Sequence, residues 1–312
     1  MSSSKSIVNA LILATILFTA ADRSLADPLR VMSFNIWVGG ESGKQPIEQT
    51  VAVIKAANAD VVGLQESHGE ERDGVRPDAA AVIAKQLGWH YFDQGDDDTG
   101  IICRFKLVGS TPKKWGAQFE TPSGDQFWLF NAHFAHAPYQ PYQLLKIPYA
   151  DAPFIDTAEQ AVKAACDARE SQVKAMLAEI EAVRQDGTPI FVTGDFNEPP
   201  ALDWTEAARD AGLHPAVVCW PATELLQEVG FVDAYRQIHR DPVKKPGFTW
   251  TVLTAEDDPA DHHDRIDFVF ASRQNVDVKS AEVVGERSER ADILVTPYPS
   301  DHRAVVIEAE LK

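Results

Sequence analysis

The sequence predicts an α/β fold in which two β-sheets pack face to face as a sandwich. Predicted helices and strands alternate early in the chain, whereas predicted strands crowd its end. Alternation throughout would indicate one doubly wound sheet, so the run of strands at the end favours two packed sheets. No repeat, no linker rich in Ser, Gly or Pro and no block of like charge divides the 312 residues. We therefore expect one domain.

The individual elements follow from the spacing of apolar residues. "LRVMSFN" and "DVVGLQE" are typical of buried strands. Between them, "IEQTVAVIKAAN" places Ile47, Val51 and Ile54 on one face of a helix. The remaining predicted elements are a helix near 78–87, strands around 89–93, 100–109 and 126–134, a long helix over 157–184, a short strand over 189–192, helical segments near 202–210 and 221–229, and final strands in "DRIDFVFA", "VDVKSAEVVG" and "RAVVIEAEL".

The N-terminus is typical of an export signal. "MSSSK" supplies a small basic segment, Ile7–Ala21 is an apolar run, and "SLA" at 24–26 resembles a cleavage site before Asp27. The run is shorter than the about 20 apolar residues of a membrane span, although an uncleaved anchor is the alternative. We expect residues 1–26 to be a signal peptide, the mature domain to cover 27–312 without a transmembrane span, and the protein to be secreted or periplasmic.

The net charge restricts the classes of partner. At −18, the surface repels polyanions and lacks the basic patch that nucleic-acid-binding proteins usually carry. This charge suits a hydrolase that holds a divalent cation. Three cysteines permit at most one disulfide, which excludes a disulfide-stabilised scaffold.

Polar residues recur at the ends of apolar strands. Burying a carboxylate without a partner is costly, so six separate segments of this kind indicate that the strand ends converge, with a cation or protons between the carboxylates. In "TPIFVTGDFNEPP", strand alternation directs Asp195 and Asn197 to the same face, although a simple turn also suits these residue types. The recurring residues are Asn35, Glu66, Asn131 with His133, Asp195 with Asn197, Asp267, and Asp301 with His302.

The six segments together resemble a known family. "SFNIW", "LQE", "NAHF", "GDFN", "RIDFVF" and "SDHRAV" are similar, in this order, to the motifs of the endonuclease/exonuclease/phosphatase superfamily, the deoxyribonuclease-I-like fold. The resemblance spans residues 29–312. It implies a four-layered α/β sandwich, with two mixed sheets flanked by helices, and Mg²⁺-dependent hydrolysis of a phosphoester. It does not identify the substrate.

The resemblance also implies ligands for the metal ion. Glu66 in "LQE" corresponds to the principal metal carboxylate, and Asp301 in "SDH" to a group near the metal. Asn35 in "SFN" would orient Glu66 or touch the metal, and a purely structural asparagine is the alternative. Mg²⁺ suits such oxygen ligands, and Mn²⁺ or Ca²⁺ are possible substitutes.

Five residues are implied to be catalytic. Asp195 would align or deprotonate the attacking water, and Asn197 would hold a phosphoryl oxygen. His302 would contact the scissile phosphate and pair with Asp267. The alternative for Asp267 is an ion pair with Arg265 in "RID". His133 would stabilise developing charge or protonate the leaving oxygen.

Other residues are candidates for substrate binding. Residues 137–156 form an insertion rich in proline and aromatic residues, and we expect Tyr139 and Tyr142 to form an aromatic wall at the mouth of the site. A loop packed over the edge of the sandwich is the alternative. Trp250 would line the site or pack in the core, and His263 is the member of the acidic "DDPADHHD" segment expected to reach it. Asn131 would contact the substrate or support its strand.

These expectations favour an exported, monomeric, Mg²⁺-dependent phosphoric ester hydrolase acting on a small-molecule or lipid-headgroup phosphoester. A secreted nuclease is the first alternative, which the charge of −18 makes less attractive. A catalytically inactive binding module is the second, and the retention of every charged motif residue counts against it.

Overall fold

The computed structural model describes residues 28–95, 98–184 and 187–312. The predicted signal peptide, residues 1–26, lies outside the described residues. In the described part of the chain, no helix combines the length and the apolar character that crossing a bilayer requires.

The described chain folds into two mixed β-sheets, of seven and six strands, flanked by helices. The strands are β1 (Leu29–Asn35), β2 (Val61–Gln65), β3 (His90–Asp93), β4 (Gly100–Cys103), β5 (Lys106–Ser110), β6 (Gly116–Glu120), β7 (Gln126–His133), β8 (Ile190–Asp195), β9 (Phe231–Asp233), β10 (Asp267–Ser272), β11 (Val276–Gly285), β12 (Ile293–Leu294) and β13 (Ala304–Leu311). The helices are α1 (Ile47–Ala56), α2 (Ala79–Leu87), α3 (Gln140–Leu145), α4 (Ala158–Arg184), α5 (Glu206–Asp210), α6 (Pro221–Glu228) and α7 (Ala234–Ile238).

Apolar side chains on both faces of the central strands hold the layers together. In β1, Val31 belongs to the core between the sheets, whereas its neighbour Met32 packs under α1 and α2. On the far side, Val173 of α4 packs with Val192 of β8. A strand buried on both faces is apolar along its whole length. The predicted four-layered sandwich is therefore confirmed, in the order helices, sheet, sheet, helices.

Two predicted elements differ from the structure. The single strand expected around 100–109 is two strands, because the chain leaves the first sheet after Cys103 and enters the second at Lys106. The helical segment expected near 202–210 begins only after Thr205, whose side chain caps its first turn. The preceding Trp204 is fully buried and packs instead on Trp220.

Candidate active site

The register of the central strands brings the predicted residues to one end of the sandwich. In the second sheet, the parallel pairing of β7 and β8 places His133 beside Asp195, and the antiparallel pairing of β8 and β10 places Asp195 beside Asp267. In the first sheet, the parallel pairing of β1 and β2 places Asn35 beside Gln65, the residue before Glu66. Because the two sheets face each other, the six motif segments meet at this end.

Asn35 joins the two sheets at the site. Its side-chain amide donates to Glu66 Oε1 and to Asp195 Oδ2, both at 3.0 Å. The other oxygen of Glu66 accepts from the backbone N–H of Val38 at 3.0 Å. Glu66 itself has a left-handed backbone, with φ of 49°, a conformation that is unfavourable for this residue type and recurs at functional sites. These contacts fix the Glu66 carboxylate in one orientation.

His302 lies between two carboxylates. Its Nδ1 is 2.9 Å from Asp267 Oδ2, and its Nε2 is 3.7 Å from Asp195 Oδ2. Burial by itself lowers the pKa of the imidazole, but the negative charges of Asp267, Asp195 and Asp301 outweigh it and raise the pKa of His302 well above its usual value. The ring is therefore an imidazolium at neutral pH, which suits a group that binds phosphoryl oxygens.

His133 forms a second histidine–carboxylate pair. Its Nδ1 donates to Asp98 Oδ2 at 2.6 Å, and its Nε2 is 3.6 Å from Asp195 Oδ2. Burial opposes the charged ring, but the hydrogen bond to Asp98 and the charge of Asp195 raise the pKa of His133 to about 9. The same contact with His133 outweighs burial at Asp98 and lowers the pKa of that carboxyl. A protonated His133 can donate a proton to a leaving oxygen.

Asp195 is at the centre of the site. Burial, opposed by the charge of His302 and assisted by that of Asp267, raises the pKa of Asp195 to about 6. A carboxylate with this pKa is ionised at neutral pH and is a stronger base than an exposed one. The backbone N–H of Asn197 donates to Asp195 Oδ1 at 2.9 Å, and the Asn197 side chain donates to the backbone carbonyl of Phe134 at 3.1 Å.

Most of these groups line one cavity of about 340 Å³, whereas Asn35 and Asp267 are fully buried and lie outside its lining. The cavity contains three residues that were not predicted to line it, Arg76, Asp98 and His136, together with Tyr149 of the aromatic insertion. Arg76 brings a cation to an otherwise acidic lining, and its guanidinium donates to the backbone carbonyls of His68 and Gly69. The full lining consists of Glu66, Arg76, Asp98, His133, His136, Tyr139, Tyr149, Asp195, Asn197, Trp250, Asp301 and His302.

Aromatic rings form one side of the cavity. Trp250 lies 6.2 Å from the ring of His302, and Tyr139 meets Trp250 edge to face at 5.5 Å. The Tyr142 ring packs behind Trp250, at 5.7 Å, and its hydroxyl donates to Asp261. Of the two predicted tyrosines, Tyr139 therefore lines the cavity, whereas Tyr142 supports the wall from behind. Tyr149 supplies a further ring to the lining.

A buried arginine anchors the insertion. Arg169 of α4 donates to the backbone carbonyls of Ala135 and Pro138 and to Gln140 Oε1. Its guanidinium also lies 3.6 Å from the buried Glu198. These bonds hold both ends of the turn that precedes α3, so that the aromatic wall has a fixed position relative to the sheets.

Besides Tyr142, two predicted substrate-binding residues, Asn131 and His263, lie outside the cavity lining. The Asn131 amide donates to the backbone carbonyl of Leu64 and to Gln94 Oε1, each at 2.9 Å, and Asn131 Oδ1 accepts from Gln65 at 2.6 Å. Asn131 therefore links the two sheets below the site. The ring of His263 bonds to Thr254 through Nε2 at 2.9 Å and is buried, so the structure gives it no contact with the cavity.

The carboxylates fit a divalent cation. Burial raises the pKa of Asp301, the charge of His302 opposes this, and the negative charge of Glu66 raises it further. Asp267 Oδ1 is buried without a hydrogen-bond partner among the described residues. Oxygen ligands of this kind, partly accessible from a polar cavity, are those that Mg²⁺ prefers. Asp195, Asp267 and His302 also lie close together, but there the protonated ring of His302 supplies the positive charge between the two carboxylates.

Comparisons with known proteins identify the family and support the fold. The model of the Endonuclease/Exonuclease/phosphatase family matches residues 32–302. An uncharacterized protein of Caenorhabditis elegans, F14F9.5, is 29% identical over 306 residues, which cover 90% of this chain and 91% of that protein.

Solved structures show the same fold. An endonuclease/exonuclease/phosphatase from Beutenbergia cavernae aligns with a TM-score of 0.58 and 19% identity over 91% of this chain and 72% of that chain. A 3'-5' exonuclease from Neisseria meningitidis aligns with a TM-score of 0.54 and 17% identity over 91% of this chain and 100% of that chain.

Proposed function

Since the chain belongs to the endonuclease/exonuclease/phosphatase family, whose members hydrolyse phosphoester bonds and usually use a divalent metal ion, we propose that it is an exported Mg²⁺-dependent phosphoesterase for a small-molecule or lipid-headgroup substrate. The observation that carries the proposal is the cavity in which the Asp195 carboxylate lies between the imidazoles of His133 and His302, with Glu66 in the same lining. We propose that residues 1–26 are removed on export, that 27–312 is the mature monomer, and that its location is secreted or periplasmic.

Glu66, oriented by Asn35, and Asp301 are the residues that would hold Mg²⁺, with Mn²⁺ or Ca²⁺ as substitutes. The bound ion would supply Lewis-acid polarisation of a phosphoryl oxygen. The fixed orientation of the Glu66 carboxylate, through Asn35 and Val38, supports this assignment.

The surrounding residues divide the proton transfers between them. Asp195 accepts a proton from the attacking water, because it is the ionised group at the centre of the site. His302, kept protonated by Asp267, binds the phosphoryl oxygens together with Asn197. His133, kept protonated by Asp98, donates a proton to the leaving oxygen. In this assignment Asp267 and Asp98 are positioning residues, because each acts through a histidine.

The shape and charge of the cavity support a small substrate. Its volume of about 340 Å³ suits a phosphate and one attached group, and its aromatic side offers rings for an apolar part of that group. Arg76 is the only lysine or arginine in the lining formed by the described residues. A long polyanion would gain little from such a surface on a chain of net charge −18. Because one of the proteins with the same fold is an exonuclease, a secreted nuclease is the alternative function.

A substrate panel on the mature chain tests the proposal. The panel contains bis(p-nitrophenyl) phosphate, glycerophosphodiesters, sphingomyelin, inositol phosphates and plasmid DNA, each with Mg²⁺ and with a chelator. We expect Mg²⁺-dependent turnover of a small or lipid-derived phosphoester and little turnover of plasmid. Preferential degradation of plasmid would establish the nuclease instead. Inertness towards the whole panel, despite Mg²⁺ binding, would favour the inactive binding module.

Export has a separate test. The full chain is expressed with its own N-terminus in a Gram-negative host, and the protein is recovered from the periplasm or medium. We expect mass spectrometry to find Asp27 as the first residue. Protein that stays in the cytoplasm with an intact N-terminus would contradict the export part of the proposal and leave the catalytic part standing.

A further inference from the structure

A second group of metal-binding side chains lies behind the aromatic wall. His214 Nδ1 is 3.2 Å from His262 Nε2 and 3.7 Å from Asp264 Oδ1, and His262 Nε2 is 3.8 Å from Asp264 Oδ2. Donor atoms bound at about 2.0–2.2 Å to a tetrahedral ion are separated by about 3.3–3.6 Å. One ligand atom from each of the three side chains lies within 4.8 Å of the others, so small movements would bring them to the spacing of ligands of one ion.

From this geometry we propose that His214, His262 and Asp264 form a transition-metal site of the zinc class, distinct from the magnesium site at Glu66. Two imidazole nitrogens and one carboxylate oxygen suit Zn²⁺ better than Mg²⁺, which prefers oxygen ligands and retained waters. Three protein ligands leave one position of a tetrahedral ion for water.

The carboxylate of the proposed site is held by two neutral donors. Trp204 Nε1–H donates to Asp264 Oδ1 at 2.9 Å, and the Tyr139 hydroxyl donates to Asp264 Oδ2 at 2.6 Å. The indole of Trp204 also stacks on the imidazole of His214, with ring centres 4.5 Å apart and planes 13° apart. Outer contacts of this kind orient the ligands of metal sites.

The charge of Asp264 supports a cation at this place. Its side chain is 1% exposed, and among the described residues no lysine or arginine forms an ion pair with it. Ionising a buried carboxyl costs free energy, which a bound cation would offset. His214 is buried and His262 is partly buried, and a neutral imidazole carries one nitrogen lone pair that can bind a metal ion.

An ion here would connect parts of the chain that lack regular structure. His214 lies in the segment between α5 and α6, whereas His262 and Asp264 lie in the segment before β10. Metal binding at such a crossing contributes directly to folding stability. Because Asp264 also holds Tyr139, we expect the ion to stabilise the aromatic wall of the cavity.

Zinc stoichiometry measured in the presence of Mg²⁺ tests the proposal. The mature protein is stripped with a chelator, returned to excess Mg²⁺ to occupy the magnesium site, given Zn²⁺ and desalted before metal analysis. We expect about one zinc per chain, a higher melting temperature with zinc, and, with Co²⁺ in its place, the intense visible absorption of a four-coordinate ion. All three readouts use the wild-type chain and need no variant to fold.

Variants locate the ion. His214→Gln and His262→Gln should each weaken zinc binding by more than the about 10- to 100-fold that loss of an outer partner costs. His263→Gln is the matched control, because the adjacent ring bonds to Thr254 instead, and it should keep the zinc. Asp267→Asn should also keep it, which separates this site from the group around His302.

Three results would overturn the proposal: only trace zinc in the wild-type chain, unchanged zinc affinity in His262→Gln, or loss of zinc in Asp267→Asn. The first would identify the cluster as a hydrogen-bonded histidine pair. Since phosphoester hydrolysis is measured with Mg²⁺ alone, failure here and failure of the proposed function are distinguishable.

Discussion

Replacing Asp98 with asparagine tests whether His133 acts as a proton donor. Asp98 holds the imidazole at 2.6 Å, and it contributes both a hydrogen bond and a negative charge to the rise in the pKa of His133 to about 9. Relative to the ordinary value of 6.5, this rise corresponds to about 3 kcal/mol in favour of the protonated ring. Asp98→Asn removes the charge of Asp98 and leaves those of Asp195 and Glu66, so we expect the pKa of His133 to fall by roughly 1–2 units.

The pH profile of kcat/KM measures this change. A group with a raised pKa is protonated below that pKa, so activity that needs protonated His133 declines as the pH rises through about 9. In Asp98→Asn the decline should begin roughly 1–2 pH units lower, with the acid side less affected. Asp93→Asn is the control, because Asp93 lies in the same part of the chain and its side chain is 55% exposed. An alkaline limb that stays in place in Asp98→Asn would refute the role of His133.

Three other substitutions give distinct outcomes. Asp267→Asn removes the charge that keeps His302 protonated and should lower kcat about 10²-fold without weakening Mg²⁺ binding. A fall in Mg²⁺ affinity would instead show that Asp267 is a metal ligand. Tyr149→Ala removes a ring from the cavity wall and should raise KM about 3- to 10-fold for substrates with an apolar group, with kcat nearly unchanged. A KM that is the same in Tyr149→Ala and in the wild type for these substrates would contradict the aromatic wall. Arg169→Leu leaves Glu198 buried without its cation and should lower the free energy of unfolding by about 3–5 kcal/mol in urea titrations. Adding Glu198→Gln should restore part of the lost stability. A double variant no more stable than Arg169→Leu would mean that the hydrogen bonds of Arg169 to backbone carbonyls dominate.

The residues at strand ends could be predicted because strand geometry is local. Alternation along β8 fixes where Asp195 points, and the register with its neighbours places it beside His133 and Asp267. The register therefore brings the motif strands together at one end, whereas the orientations of Glu66, Asp301 and His302, which lie outside the strands, also depend on the connecting segments. The same alternation explains why Asn131 was a reasonable candidate, since it shares a face with His133.

Asn131 lies two residues before His133, the last residue of β7, and therefore does not reach the cavity. Two residues span about 6.6 Å, which moves the side chain from the end of β7 to the space between the sheets, where it bonds to Leu64 and Gln94. Asp98 and Arg76 could not be predicted, because they lie in irregular connections without periodicity. Their places in the cavity depend on how distant segments pack. Tyr142 belongs to the predicted aromatic wall but supports it from outside the cavity.

The most direct test of the central claim is the Mg²⁺ dependence of phosphoester hydrolysis in Glu66→Gln, compared with wild type and with the control Glu48→Gln, which changes an exposed glutamate of α1. The account predicts that Glu66→Gln lowers kcat by at least about 10²–10³-fold and no longer responds to Mg²⁺, whereas Glu48→Gln behaves like wild type. Hydrolysis by Glu66→Gln that saturates with Mg²⁺ as in the wild type would contradict a catalytic metal site at Glu66, at the end of the sandwich where the motif segments meet.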